Sequence, residues 1–345
     1  MRTLLSQSKA AAAGAAIAIA LYFSGLFTLL APIPVLYVYV TRGRAAGLTS
    51  ALASGLIVVL SYIFLMPAAA SGDGLLAYVL MPGQGLDVYL PSDVIAVGGI
   101  GYFAFYLAIA IALGEGSLRR WELLKWGGAA FVAGIAVIAI VAAASIHLGA
   151  AGVIEGLRSY LAAVVGGVAR MREQGGEAGA QMAFLADRAP DAAAFFVRMM
   201  PGIAVLFTSL TVAINIIVCR RVIKGSHAFS HVHNVARFRV PDLLIWGVIV
   251  SGAAFFLDSY ALHSGVARDV ALNVLIALGA IYFLQGMAVI IYFVQGIKAP
   301  LLRGLAYVAM VLFLQTVSLG LLAVGIADVW ANFRLRRWRA IHHHS

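Results

Sequence analysis

The sequence predicts an all-α, polytopic transmembrane helical bundle of about eight or nine spans, and three observations predict it. Of 345 residues, 63% are hydrophobic and only 11% are charged. A soluble domain is about half apolar and about a quarter charged, so this chain could not clothe a water-facing surface. Apolar runs of about 20 residues recur along the chain, and at about 1.5 Å per residue each crosses a hydrocarbon layer roughly 30 Å thick. The basic residues gather between those runs. Ordinary soluble enzymes, disordered proteins and coiled coils are excluded.

By that ruler the spans fall at about 10–30, 45–66, 93–114, 127–147, 199–219, 241–260, 270–296 and 302–327. The first has no A-x-A-like cleavage site ahead of a polar domain, so a retained helix is expected rather than a signal peptide. A short apolar piece, 32–41, follows Ala31-Pro32-Ile33-Pro34. Two prolines one residue apart remove two amide donors, so 10–41 is expected as a helix, a break and a short returning helix. Broken backbone at membrane depth has to be buried in protein or line a cavity. The longest non-spanning stretch is 148–198. Within it Ile154, Leu157, Tyr160, Leu161 and Val164 stand at helical spacing, so 153–171 is expected to lie in the interface as an amphipathic helix.

Charge sets the orientation. The chain carries 24 Lys and Arg against 14 Asp and Glu, a net +10. In a soluble protein that excess would raise nucleic acid as a partner; between apolar spans it marks cytoplasmic loops beside anionic lipid, and no nucleic-acid partner is expected. Placing Arg2 and Lys9 inside also puts inside Arg42 and Arg44, then Arg119, Arg120 and Lys125. The basic loop 220–240, with Arg220, Arg221, Lys224, Arg237 and Arg239, follows them, as do Lys298 and Arg303. The loop 67–92, with Asp73, Asp87 and no Lys or Arg, falls outside. Nine passes then leave Arg334, Arg336, Arg337 and Arg339 outside, against the rule. An external tail and a re-entrant late span both answer this.

Few residues carry chemistry. Ala12, Ala16 and Ala20 stand one turn apart, as do Ala10, Gly14 and Ala18. Such small-residue ladders let transmembrane helices approach closely. Close packing inside the bundle is the first reading of them; a docking face for a membrane partner subunit, formed by Ala12, Ala16 and Ala20, is the second. Polar residues inside spans are costly and worth naming. They include Asn215, Asn273 and Gln285, and none of those at span centres is ionisable. That lowers the weight of ion-coupled transport. Asn215, Asn273, Tyr282 and Gln285 are candidate cavity residues for a small-molecule ligand, against the plainer reading of interhelical hydrogen bonds.

His227, His231 and His233 have a spacing that could bind metal, but the loop is cationic and supplies no further ligand, so no metal is expected. The lone Cys219 can form no intrachain disulfide and reads as packing. His342, His343 and His344 are assigned no chemistry. H-E-x-x-H, G-x-S-x-G and the Walker A pattern are absent. No enzyme activity and no cofactor are expected, and an ATP-driven role would need a separate ATPase.

Two segments carry a resemblance. Tyr282-Phe283-Leu284-Gln285-Gly286 resembles the Y-x-L-Q-G segment of the YybS-like family of predicted bacterial membrane proteins (domain of unknown function 2232). Gly325-Ile326-Ala327-Asp328-Val329-Trp330-Ala331-Asn332-Phe333-Arg334 is similar to that family's closing G-x-x-D-x-W-x-[DN]-F-R, with Ala327 and Ala331 where bulkier or polar residues are expected. The family is in turn distantly similar to the S components of energy-coupling-factor vitamin transporters. The resemblance implies a six-helix S-component-like half over 1–222, whose first helix docks a partner subunit. The three-helix extension 241–327 and the long loop 148–198 have no counterpart in the S components; a basic loop, 223–240, precedes the extension and a basic tail, 328–345, follows it. No vitamin-binding residue carries over. Gly286, Asp328, Trp330 and Arg334 are expected as an anchor, with Arg334 and Arg336 beside Asp328 at a helix end and Trp330 in the aromatic belt.

The reading that follows is a multi-pass protein of the bacterial inner membrane, with its N-terminus in the cytoplasm. It is expected to bind or transport a small molecule under the loops 67–92 and 148–198. The alternative is a non-transporting scaffold or assembly factor for other membrane proteins.

Overall fold

A computed structural model of the chain describes residues 2–25, 27–70, 92–147, 188–223, 236 and 238–336, with isolated positions between 155 and 163. The centre of the loop 67–92, most of the expected interfacial helix 153–171, His227, His231 and His233, and the tail beyond Arg336 lie outside the described residues. The described residues are almost wholly helical, without strands. Six helices among them are long and apolar enough to cross a membrane. Two compact units emerge: Met1–Met200 with Ile214–His231, and Pro201–Ala213 with Val232–Ser345. Along the chain, Pro201–Ala213 falls in unit 2 and Ile214–His231 again in unit 1.

Unit 1 starts with α1 (Arg2–Phe23), a 3-10 turn (Thr28–Leu30), α2 (Pro32–Arg42) and α3 (Arg44–Ala70). α1 stops seven residues before the expected position 30, at Ser24 and a left-handed Gly25 (φ 68°). The Ser24 hydroxyl donates to the Leu21 carbonyl and accepts from the Phe27 amide, which ties off the helix end. Pro32 and Pro34 sit in the first turn of α2, where an amide has no helical partner to lose. Ala18, Val35, Ala51 and α4's Ala110 form the core of this corner; α4 is Ser92–Leu118. α4 pairs with α5 (Leu123–His147), and the Trp126 indole donates to the Leu113 carbonyl at 2.7 Å.

Two glycines make room for one aromatic ring. Tyr39 is fully buried, and a Cβ on Gly47 or Gly114 would lie 2.2 or 2.5 Å from its ring. Gly114→Ala is therefore expected to displace Tyr39 and lower stability by about 1–3 kcal/mol, the usual cost of overpacking. A thermal midpoint equal to wild type in detergent would contradict this.

The helix α6 (Ala189–Val222) starts ten residues before the expected 199 and carries Pro201 in its interior. Its stretch Pro201–Ala213 belongs to unit 2. Unit 2 adds α7 (Leu244–Leu257), a π-helical turn (Asp258–Leu262) and α8 (Val266–Gln295). The expected last span, 302–327, is divided into α9 (Pro300–Leu312) and α10 (Leu314–Ala331) at Phe313. Backbone bonds from Phe313 to Ala309 and from Val317 to Phe313 continue through the junction, so the two form one interrupted helix rather than a hairpin. α10 runs antiparallel to α8: a Cβ on Gly325 would meet Tyr282, and one on Gly286 would meet Leu321.

Candidate functional site

Unit 1 gathers hydroxyls from four elements. Tyr22 ends α1, Thr28 opens the 3-10 turn, Tyr62 lies on α3, and Tyr102 and Tyr106 stand one turn apart on α4. The Tyr22 hydroxyl donates to the Gly99 carbonyl at 2.7 Å and lies 3.1 Å from the Tyr62 hydroxyl. Tyr106 donates to the Tyr102 oxygen at 2.5 Å, and Thr28 Oγ1 is 3.5 Å from that same oxygen. Glycine at 99 leaves room for the Tyr62 ring, which a Cβ there would approach to 2.2 Å. Tyr22, Tyr62 and Tyr106 are buried, while Tyr102 is 38% exposed and gives the cluster an open side. Edge-on ring contacts at 4.9 Å (Tyr22 to Phe103) and 4.8 Å (Tyr102 to Tyr106) wall it.

Each hydroxyl can both donate and accept, so the cluster can exchange internal bonds for bonds to an uncharged polar guest. It sits at the end of the bundle from which the 67–92 connection leaves α3 for α4. Sequence reasoning missed it because tyrosine counts as apolar in a span. The available signal was the Tyr102/Tyr106 pair at i, i+4, level with Tyr22 near the end of the first helix.

The four cavity candidates are divided between the two units. Asn215 lies in unit 1 and donates from Nδ2 to the Leu29 carbonyl at 2.8 Å, in the turn between α1 and α2. Asn273 lies in unit 2, accepting the Gly202 amide on Oδ1 at 2.7 Å and donating to the Asp269 carbonyl at 2.8 Å. Gly202 follows the proline inside α6, and its hypothetical Cβ would be 2.9 Å from the Asn273 carbonyl oxygen. Gln285 accepts the Val240 amide at 2.9 Å and donates to the Gly325 carbonyl at 3.1 Å. Tyr282 packs with Val240, Ile245 and Val329, its hydroxyl buried without a hydrogen-bond partner among the described residues. Each amide thus ties down backbone: Asn215 at the turn between α1 and α2, Asn273 beside the proline of α6, and Gln285 at Val240 ahead of α7.

The two motif segments meet around a buried ion pair. Arg334 Nη2 donates to Asp328 Oδ2 at 2.7 Å, with side chains 14% and 2% exposed. Arg334 Nη1 donates to the carbonyls of Ala236 and Phe238 at 2.9 and 2.8 Å. Asp328 also accepts from the Phe333 amide at 3.1 Å and from Gln285 Nε2 at 3.3 Å. The reversal that permits this is Asn332, left-handed at φ 45°, the residue type that best replaces glycine at a helix C-terminus. The expected partnership of Asp328 is with Arg334 alone; Arg336 instead borders an outer groove. That groove, about 640 Å³, is lined by Ala323, Ile326, Ala327, Trp330, Ala331 and Arg336.

α1 divides its small residues between two faces. Ala11, Gly14, Ala15 and Ala18 are buried, whereas Ala12, Ala16 and Ala20 are exposed. Among the described residues no group of three or more His, Cys, Asp or Glu could hold a metal.

A family model described as "Predicted membrane protein (DUF2232)" matches residues 92–329, from the start of α4 almost to the end of α10. No curated protein and no solved structure matches the chain. The matched range contains α4–α10 and both motif segments up to Val329, and with more than half of the chain inside it, this integral membrane protein belongs to the DUF2232 family.

Proposed function

We propose that this protein binds a small molecule in unit 1 and acts as a substrate-binding or transport subunit of S-component type, without enzyme activity. The observation that carries the proposal is the convergence of Tyr22, Thr28, Tyr62, Tyr102 and Tyr106 at one end of unit 1. Aromatic walls with a few placed polar groups are the chemistry of small-molecule sites. The guest is an uncharged polar molecule with an apolar body, matched to hydroxyls carried on aromatic rings. A partner membrane subunit, coupled to a separate ATPase, docks on the exposed Ala12, Ala16 and Ala20. The setting is a bacterial inner membrane with the N-terminus in the cytoplasm.

A scaffold is the second reading, favoured by a specific observation. Asn215, Asn273 and Gln285 are all engaged with backbone, as tight filling between helices requires.

Native mass spectrometry of protein extracted gently from its own membrane separates the two. Binding predicts a stoichiometric small-molecule adduct, weakened about five-fold for each hydroxyl removed in Tyr22→Phe and Tyr62→Phe. An adduct that survives both substitutions overturns the site. A co-purifying protein with no small molecule, lost on Ala16→Leu, establishes the scaffold instead.

A further inference from the structure

α4 ends in a Schellman turn: the Arg120 amide bonds the Ser117 carbonyl at 3.2 Å and the Trp121 amide bonds the Gly116 carbonyl at 2.9 Å. The residue between the last helical turn and Trp121 is left-handed, at φ 54°, where glycine is the usual occupant. Here it is arginine, with its side chain exposed on the surface of the unit. A side chain at that position strains the backbone for no gain in packing.

What surrounds it supplies a reason. α2 ends at Arg42 and α3 begins at Arg44; α4 runs into Arg119 and Arg120, and α5 carries Lys125 in its first turn. The Arg44–Glu115 pair, at 2.6 Å, holds these turns at one end of unit 1. Glu115 is answered by Arg44, by Arg119 at 3.4 Å and by the Tyr39 hydroxyl. The remaining acid on these turns is Glu122, exposed beside Trp121. Arg42, Arg120 and Lys125 have no acidic partner among the described residues. The Trp121 ring has the Arg119 guanidinium 5.6 Å and the Lys125 ammonium 5.1 Å from its centre. Leu118 and Leu124, both exposed, stand within a turn of these cations.

We propose that this end of unit 1 is a seat for the headgroup of an anionic phospholipid, and that Arg120 occupies a glycine position in order to reach its phosphate. Cations alone would suit any polyanion. Exposed leucines and a tryptophan at the same level suit a ligand that continues into acyl chains.

The test uses the full chain in detergent, offered phosphatidylglycerol and phosphatidylcholine, with retained lipids counted by native mass spectrometry. Wild type is expected to keep phosphatidylglycerol selectively. Arg120→Gly is expected to raise the thermal midpoint by relieving the strained turn, while retention of phosphatidylglycerol falls about five-fold, the effect of one cation near an anionic headgroup. Arg42→Ala with Lys125→Ala is expected to lower retention further, and Arg303→Ala on α9 to leave it unchanged. Equal retention of both lipids overturns the proposal. So does an Arg120→Gly protein that keeps its lipid or loses stability, and so does an equal loss on Arg303→Ala.

Discussion

Arg334→Ala is expected to destabilise unit 2 by about 3–5 kcal/mol, the cost of leaving a buried charge without its partner. The substitution strips Asp328 of its cation and releases the Ala236 and Phe238 carbonyls at the same time. Asp328, 2% exposed, would keep only the Phe333 amide and Gln285 as described donors. The measurement is the thermal midpoint in detergent, together with protease cleavage near 236–240, which should appear once those carbonyls are free. Replacing both members at once, Asp328→Leu with Arg334→Met, should recover much of the loss, since an apolar pair leaves no unpaired charge. A double variant as unstable as Arg334→Ala would show that backbone capture by Arg334, rather than charge pairing, dominates.

Gly325→Ala is expected to have the second largest effect, because its Cβ would be 1.9 Å from the Tyr282 carbonyl oxygen. Gly286→Ala meets the Leu321 carbonyl oxygen at 1.8 Å from the other side of the same crossing. Neither obstacle is a side chain that can swing away. α8 and α10 would have to separate, at a cost at or above the upper end of the roughly 1–3 kcal/mol typical of overpacking. Gly320, on the same helix, has nothing within 4 Å of its hypothetical Cβ. Gly320→Ala should therefore be neutral or stabilise by up to about 1 kcal/mol, as alanine does in a helix interior. Equal effects at positions 320 and 325 would mean that close approach is not why glycine stands there.

These predictions give the family segments a physical meaning. In Y-x-L-Q-G the tyrosine fills the core, the glutamine holds Val240 and Gly325, and the glycine lets two backbones touch. In the closing segment Gly325 completes that contact, Asp328 and Arg334 form the ion pair, and Asn332 turns the chain so that they can meet. Trp330 is 63% exposed and borders the outer groove, where Ala327 and Ala331 also stand. A bulkier residue at either alanine would narrow that groove.

The membrane class, the helical architecture and the break before Pro32 were legible from composition and proline placement alone, because each depends on what the chain does locally. A run of apolar residues must satisfy its amides within itself, and a proline removes a donor wherever it sits. That the two motif segments meet, with Arg334 on Asp328 and Arg336 at the outer groove, depends on the fold.

Other features depend on which backbone a side chain meets. Asn215, Asn273 and Gln285 look alike in sequence, yet each finds its acceptor or donor 186, 71 or 45 residues away. The tyrosine cluster spans Tyr22 to Tyr106, and hydropathy cannot see it because a phenol ring scores as core. Arg120 reads as one more loop cation until its positive φ sets it apart. Local periodicity determines that helices form. Where their interruptions fall against one another is settled only on packing, when each freed amide and carbonyl has to find a partner away from water.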